Sequence, residues 1–374
     1  MKLLNIHNAA SQYRAPLFVE LGRRHEQEVV FFQPSRSWRE PLNELAYSGY
    51  RSQVLQGTWP QRLWALGQAL FTQDYDVLLM AVGGRLELLL VWLAAAWRNK
   101  PLVLWEETWA PTRSFFHGLA RLFLPALFKR ADAVLVLGAH VQRYWSAQGV
   151  DPQKLVLAPQ VVDARIFGRP QSAAQKSAAR RSFKVERGRL ALLYVGRLIP
   201  EKGLRILAQA LASPGAERWD LILCGRGPLE AELLGDPALQ GRVRSLGHQK
   251  SAALVAIYAA ADLLVLPSVS RPRFKEPWGL VVNEAFCQGL PALTSDAVGA
   301  AAGGLVQQGR TGWIFPEGDS AALAKALQRL GSGAPLRKRL GAEAKRRVLA
   351  TGYDDMADRF DKAFALALAK RPAR

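Results

Sequence analysis

The sequence predicts an α/β protein built from two Rossmann-like domains, each a parallel sheet covered by helices on both faces. Three observations predict it. Short apolar runs alternate with helical patterns along the whole chain, the alternation restarts after a polar and basic stretch near the middle, and glycine-containing loops follow directly on several of the apolar runs. A length of 374 residues accommodates two domains of ordinary size, and 49% apolar content lets each bury a core.

In the first half, strands are expected at 2–6, 29–32, 77–81, 102–105, 133–137 and 154–157, and helices at 16–24, 86–97, 115–129 and 141–148. The run 86–97 reads as a buried helix, well short of the roughly 20 apolar residues of a membrane span. In the second half, strands are expected at 190–195, 220–224, 243–246, 263–266 and 291–294. Helices are expected there at 203–212, 228–234, 252–260, 280–288, 321–330 and 334–349. The stretch 172–189, rich in Ser, Ala and Arg, is expected to hold a short helix and an interdomain connection. The boundary falls at 168, giving an N-terminal domain 1–168 and a C-terminal domain 169–353. A last helix within 354–374 is expected to cross back onto the first domain.

The formal net charge is +19, so the protein should seek anions. No zinc-finger spacing, RNA-recognition signature or basic zipper accompanies that charge, and nucleic acid is not an expected partner. Cys224 and Cys287 are the only cysteines and both lie in apolar surroundings, which argues against a disulfide framework or a cysteine metal site. The N-terminus reads as a strand rather than a signal peptide. The expected location is the cytoplasm, with the inner face of the membrane as the peripheral alternative.

In sheets of this kind, ligands bind beyond the carboxyl ends of the strands. The segment EPWGLVVNEA, Glu276 to Ala285, is the most informative of these loops. Glu276 precedes a helix start at Gly279, and Glu284 lies about one turn inside the helix. Unpaired amides at a helix start attract anions, so Gly279, Leu280 and Val281 can receive a phosphate while the two carboxylates receive hydroxyls. That combination suits a sugar joined to a nucleotide diphosphate. For Glu284, a role near the helix dipole is the alternative. The loop GRLIPEKG places Gly196, Arg197 and Lys202 after the strand 190–195, where two cations can meet one anion. Gly225 opens a second glycine loop, and His248 sits in a third, within reach of a base or ribose or simply on the surface. Ser268 opens the loop to Glu276, which Arg271, Arg273 and Lys275 make basic, and Asp262 reads as structural.

Taken in order, GRLIPEKG, LILCGRGP, LGHQ, YAAADLLVLPS, EPWGLVVNEAFCQGLPALTSDAVGA and GRTGWIFPEGD resemble the retaining glycosyltransferases of family 4. The resemblance implies the GT-B fold, two Rossmann-like domains whose parallel sheets face an interdomain cleft. It implies a retaining, metal-independent sugar transfer from a nucleotide-diphosphate donor to a hydroxyl acceptor, in cell-surface polysaccharide or glycolipid assembly. The donor is a co-substrate and no cofactor is implied. A non-catalytic nucleotide-sugar-binding protein and a GT-B epimerase are the alternatives. By position, Arg197 and Lys202 would bind the diphosphate, Glu276 the donor sugar, Gly279, Leu280 and Val281 the phosphate, and Glu284 the ribose.

The first domain carries weaker signals. Asn8, Ser11, Tyr13 and Arg14, in the loop after the first strand, are acceptor-side candidates. Where many family members place a histidine, this chain has LWEETW, so Glu106 is the catalytic candidate, with Glu107 and Thr108 on the acceptor side. The acceptor is expected to be a sugar or a lipid-linked sugar. Eight of the eleven tryptophans precede residue 150. Helix 115–129, with Arg121, Lys129 and Arg130, reads as a core helix, and an anionic membrane surface is the rival reading.

Overall fold

The computed structural model describes residues 1–33, 49–83, 85–110, 115–186, 188–239, 241–272 and 274–370, so Arg273 lies outside the described residues. The chain divides into two compact units, Met1–Gln160 together with the C-terminal segment from Tyr353, and Val161–Gly352.

Unit 1 runs β1 (Lys2–His7), α1 (Ala15–Arg24), β2 (Glu26–Phe31), β3 (Arg51–Val54), α2 (Trp59–Thr72), β4 (Val77–Ala81) and α3 (Arg85–Trp97). It continues with β5 (Leu102–Glu106), α4 (Phe115–Arg130), β6 (Ala133–Val136), α5 (Ala139–Ala147) and β7 (Leu155–Leu157). Its seven strands are parallel, in the order β3-β2-β1-β4-β5-β6-β7. The inner strands β4, β5 and β6 are buried throughout, as a sheet covered on both faces requires.

Unit 2 opens with α6 (Ala164–Phe167), α7 (Ala173–Ser182), β8 (Leu190–Val195), α8 (Leu204–Ala212), β9 (Trp219–Cys224), α9 (Glu230–Leu234), β10 (Val243–Ser245) and α10 (Ser251–Ala260). Then follow β11 (Leu263–Leu266), α11 (Leu280–Cys287), β12 (Ala292–Ser295), α12 (Gly299–Ala302), β13 (Gly312–Phe315), α13 (Ser320–Ser332) and α14 (Ala334–Leu349). The six strands are parallel, in the order β10-β9-β8-β11-β12-β13. Asp262 is a latch at the start of β11. Its carboxylate accepts the Ala191 amide at 2.8 Å and the Arg180 guanidinium at 2.6 Å, tying α7 to the sheet. Helix α15 (Tyr353–Ala369) belongs to unit 1, where Arg24 holds Asp358 at 2.6 Å and Asp361 at 2.9 Å, and Phe360 meets Trp105 edge-on at 5.1 Å.

The sequence expectations differ from the structure in specific places. The units part after Gln160 rather than at 168, because α6 packs against α10 and α11. Five elements were not expected: β3 and β13, which are short edge strands, the helix α2, and the four-residue helices α6 and α12. β3 reads RSQV and is exposed or half-buried throughout, so it has no apolar run to announce it. α2 starts at a capping box of Thr58 and Gln61 with Pro60 beside it. The expectation that 86–97 is a buried helix is corrected: α3 is wholly apolar from Leu88 to Trp97, yet Leu86, Leu93 and Trp97 on it are 53%, 47% and 85% exposed. Helix α4 has a core side, where Phe128 stacks on Trp145 at 3.7 Å, but Phe123 is exposed.

Candidate functional site

Each sheet has a switch point where the strand order reverses, between β8 and β11 in unit 2 and between β1 and β4 in unit 1. Crevices form beyond the carboxyl ends of strands at such points. The candidate residues gather at these two edges.

In unit 2, the loop after β8 delivers Lys202 and the loop after β11 delivers Ser268 and Glu276. The Lys202 ammonium forms an ion pair with Glu276 Oε2, although the two are 74 residues apart in sequence. Ser268 donates its hydroxyl to the same oxygen at 2.9 Å, and the Lys202 ammonium lies 5.1 Å from the Phe274 ring centre. Both members of the pair are mostly buried, which makes the partnership costly to break. The Glu276 backbone is fixed as well. It pairs with Val298 in a parallel bridge, and its carbonyl accepts the Gly299 amide at 3.1 Å.

Close backbone packing sets this geometry. Gly203 follows Lys202 with φ +69°, and a Cβ there would stand 1.8 Å from the Pro267 carbonyl oxygen. Only glycine lets the two loops approach so closely. Gly203→Ala is expected to destabilise the protein by at least about 3 kcal/mol, since strain and backbone overlap combine. Gly304→Ala is the control: its φ is +86° but nothing lies within 4 Å. It should cost about 1 kcal/mol, and equal losses in urea melts for the two variants would refute the close-packing account.

The remaining candidate residues of unit 2 divide into two groups. Gly196 and Gly225 lie back to back: the Gly196 amide bonds the Cys224 carbonyl at 3.0 Å, and a Cβ on Gly225 would strike the Gly196 carbonyl oxygen. The exposed Arg197 stands on this knitted pair of loops, its carbonyl held by the Tyr194 hydroxyl at 2.7 Å. His248 is exposed in the loop whose Gly247 carbonyl accepts the Gly225 amide at 2.9 Å. Gly279 caps α11 in the left-handed region, at φ 97° and ψ 63°. Leu280 and Val281 open that helix, ahead of the first closing bond from the Val282 amide to the Gly279 carbonyl at 2.9 Å. Glu284 is buried and accepts the Tyr258 hydroxyl at 2.6 Å. That partner, on α10, was not foreseen from sequence.

In unit 1, β5 ends on Glu106, which is buried. Burial raises its carboxyl to about 7, against the lowering pull of the Thr108 and Glu107 amides that Oε1 accepts. Glu107 pairs with Arg14 from the loop after β1 and accepts Gln160 Nε2 at 3.1 Å. The Arg14 guanidinium also stacks 4.7 Å over Trp105. Loops after β1 and β5 are thus joined at one sheet edge. Asn8 accepts Gln33 Nε2 there, Tyr13 is exposed with its carbonyl held by the Tyr353 hydroxyl at 2.7 Å, and Thr108 is exposed. The Ser11 hydroxyl is buried without a hydrogen-bond partner.

Sequence reading did not single out His7. It is buried among Phe18, Phe31 and Trp105, and neither ring nitrogen has a hydrogen-bond partner. Burial, with Arg14 second, holds its imidazole well below the ordinary range, so it is neutral. With Asn8, Phe32, Met80, Gly83 and Glu87 it lines a narrow depression at the carboxyl end of β1 and β4. Among the described residues, no group of three His, Cys, Asp or Glu side chains is placed to hold a metal ion.

Two parallel α/β sheets with their candidate residues on the carboxyl edges agree with the GT-B class of glycosyltransferase folds, to which solved neighbours belong. HepE of Anabaena, solved with UDP and glucose, superposes with a TM-score of 0.79 at 19% identity, covering 98% of this chain and 99% of that one. The sequence model of Glycosyl transferases group 1 matches residues 175–347, and that of Glycosyltransferase Family 4 matches residues 17–165. The chain belongs to glycosyltransferase family 4, as the ordered motifs had suggested. A D-inositol 3-phosphate glycosyltransferase of Thermomonospora curvata is 31% identical over 239 residues, 56% of this chain and 51% of the relative. A phosphatidyl-myo-inositol mannosyltransferase of Mycobacterium leprae is 36% identical over 164 residues, 42% of each chain. The chain spans about half the length of the curated relatives it matches.

Proposed function

We propose that the protein transfers a sugar from a nucleotide-diphosphate donor to a hydroxyl acceptor with retention of anomeric configuration. The observation that carries this reading is the Lys202–Glu276–Ser268 cluster at the unit 2 switch point, beside the mouth of α11. Without donor, the ammonium and carboxylate neutralise each other. A bound diphosphate gives Lys202 a partner of higher charge, shared with Arg197 and the amides of Gly279, Leu280 and Val281. Glu276 then accepts hydroxyls of the donor sugar, and Glu284 those of the ribose.

In the chemical step, the bond from the anomeric carbon to the diphosphate oxygen breaks, and the acceptor oxygen bonds to the same carbon from the same face. The electron pair departs with the diphosphate, whose oxygen takes up the acceptor proton. Lys202 and Arg197 stabilise the charge that grows on the leaving group, a task for which the reading requires no metal. Glu276 orients the sugar and does not become bonded to it. On the acceptor side, Glu106, Glu107 and Arg14 are the assigned contacts, with Asn8, Ser11, Tyr13 and Thr108 around them. The relatives' names point to polyol or glycolipid acceptors, and a lipid-linked sugar belongs to the same class.

A donor panel of UDP-, GDP- and ADP-sugars tests the reading. A ligand that binds only the folded chain at about a hundred times its Kd adds about 2.7 kcal/mol. One base series should therefore raise the melting temperature by roughly 3 °C or more. That donor should also be consumed when acceptor hydroxyl is supplied. Binding without turnover across a broad acceptor set would favour a nucleotide-sugar-binding protein, and no shift with any donor would reject the proposal.

A further inference from the structure

Helix α3 departs from what a water-facing helix should show. Its outward residues Leu86, Leu89, Leu93, Ala96 and Trp97 are all exposed and all apolar. They recur at helical spacing and form one uninterrupted stripe. Helices apolar on every side are normally enclosed by protein or lipid. The neighbours extend the stripe. Helices α2 and α4 pack against α3, and expose Trp64 at 67% and Phe123 at 65%. Exposed apolar side chains, tryptophan among them, on three helices that pack together mark an interaction site rather than ordinary surface.

The rim of this surface is cationic. Arg130, at the end of α4, is exposed, and its guanidinium lies 6.0 Å from the Trp92 ring centre of α3, whereas the neighbouring Lys129 side chain lies toward Gly149. Trp92, Ala95, Ala96, Leu102 and Arg130 line a depression of about 150 Å³ at that edge. Because Leu102 begins β5, the depression lies at the opposite end of that strand from Glu106 and is separate from the candidate site. It gives a lipid phosphate a cation directly beside apolar surface. The acid on the described part of α3, Glu87, accepts the Trp59 indole N–H at 3.3 Å.

We propose that the exposed face of α3, extended by Trp64 and Phe123, seats the protein on a bilayer containing anionic lipid. Insertion to the depth of one side chain suits it. With 13 residues α3 is about 20 Å long, too short to span the roughly 30 Å hydrocarbon layer. Tryptophan and leucine enter the boundary while arginine holds headgroups, the arrangement of interfacial helices. A second copy of the chain fits less well, because two such faces would bring Arg130 against its own like charge on a protein of net charge +19. The inference does not rest on the sugar-transfer reading, and donor binding can succeed or fail independently of it.

The test uses the full chain and vesicles of phosphatidylcholine with or without an equal part of phosphatidylglycerol. The protein should co-sediment with the anionic vesicles and not the neutral ones, less so at high salt. Leu89→Gln combined with Trp97→Gln should lower the partition coefficient at least about tenfold, since each side chain buried is worth a kilocalorie or more. The melting temperature should fall by no more than about 2 °C, because Trp97 is 85% and Leu89 40% exposed. An environment-sensitive dye on Leu93→Cys should shift to the blue on anionic vesicles; Cys224 and Cys287 are buried and will not take the label. Absence of binding to anionic vesicles, or binding that the double variant leaves unchanged, overturns the proposal. So does a dye shift that follows protein concentration rather than lipid, which would mark a contact between copies.

Discussion

Lys202→Met should lower kcat/KM by about two to three orders of magnitude, the loss typical when one charge-stabilising group is removed from a transition state. Its effect on stability should be equally diagnostic. Lys202 and Glu276 are 12% and 10% exposed at the side chain, so the methionine leaves a carboxylate with Ser268 but no counter-charge. Breaking such a pair from one side costs about 3 kcal/mol, whereas replacing both partners with neutral groups costs much less. Lys202→Met with Glu276→Gln should therefore regain most of the lost stability and none of the activity. Glu276→Gln alone should abolish transfer and also cost about 3 kcal/mol, because it leaves the mostly buried Lys202 ammonium without its counter-charge. The measurements are urea melts and initial rates on the four corners of the double-mutant cycle. Turnover within about twofold of the parent in Lys202→Met would remove the cation from the mechanism, whatever the melts show.

This cycle is also where the sequence was most and least legible. Glycines and charges in the loops after β8 and β11 were readable because the backbone there tolerates few alternatives. Gly203 beside Pro267 and Gly279 at the mouth of α11 hold conformations that leave a mark in composition. The inner strands were readable for a related reason: burial on both faces leaves continuous apolar runs such as Val77–Ala81. Pairings between distant loops leave no such mark. Nothing local says that Tyr258 reaches Glu284, that Arg14 reaches Glu107, or that His7 is sealed among aromatic rings. Periodicity failed on α3 because a helix apolar on all sides does not tell which side meets water. It failed on β3 because an edge strand such as RSQV needs only the backbone of its neighbour, whatever its side chains.

Glu106 should leave a signature in both stability and rate, with opposite signs. Its folded carboxyl titrates at about 7 because burial disfavours the charged form, while an unfolded glutamate titrates near 4.5. Below pH about 4.5 the group is neutral in both states and burial carries no charge penalty. As pH rises from about 4.5 to about 7, the unfolded chain releases the proton more readily, and the native state loses at most about 3 kcal/mol. Glu106→Gln keeps the shape, removes the ionisation and should be the more stable protein at pH 8, with little difference at pH 4.5. Activity should run the other way. In the proposed role, ionised Glu106 accepts the acceptor hydroxyl as a hydrogen bond, so kcat/KM should climb through pH about 7 to a plateau. Glu106→Gln should flatten that limb and hold the rate low throughout. A stability difference that appears as expected beside an unchanged pH–rate limb would leave Glu106 as a buried structural acid and pass the acceptor contact to Glu107, whose pairing with Arg14 and Gln160 joins the loops after β1 and β5.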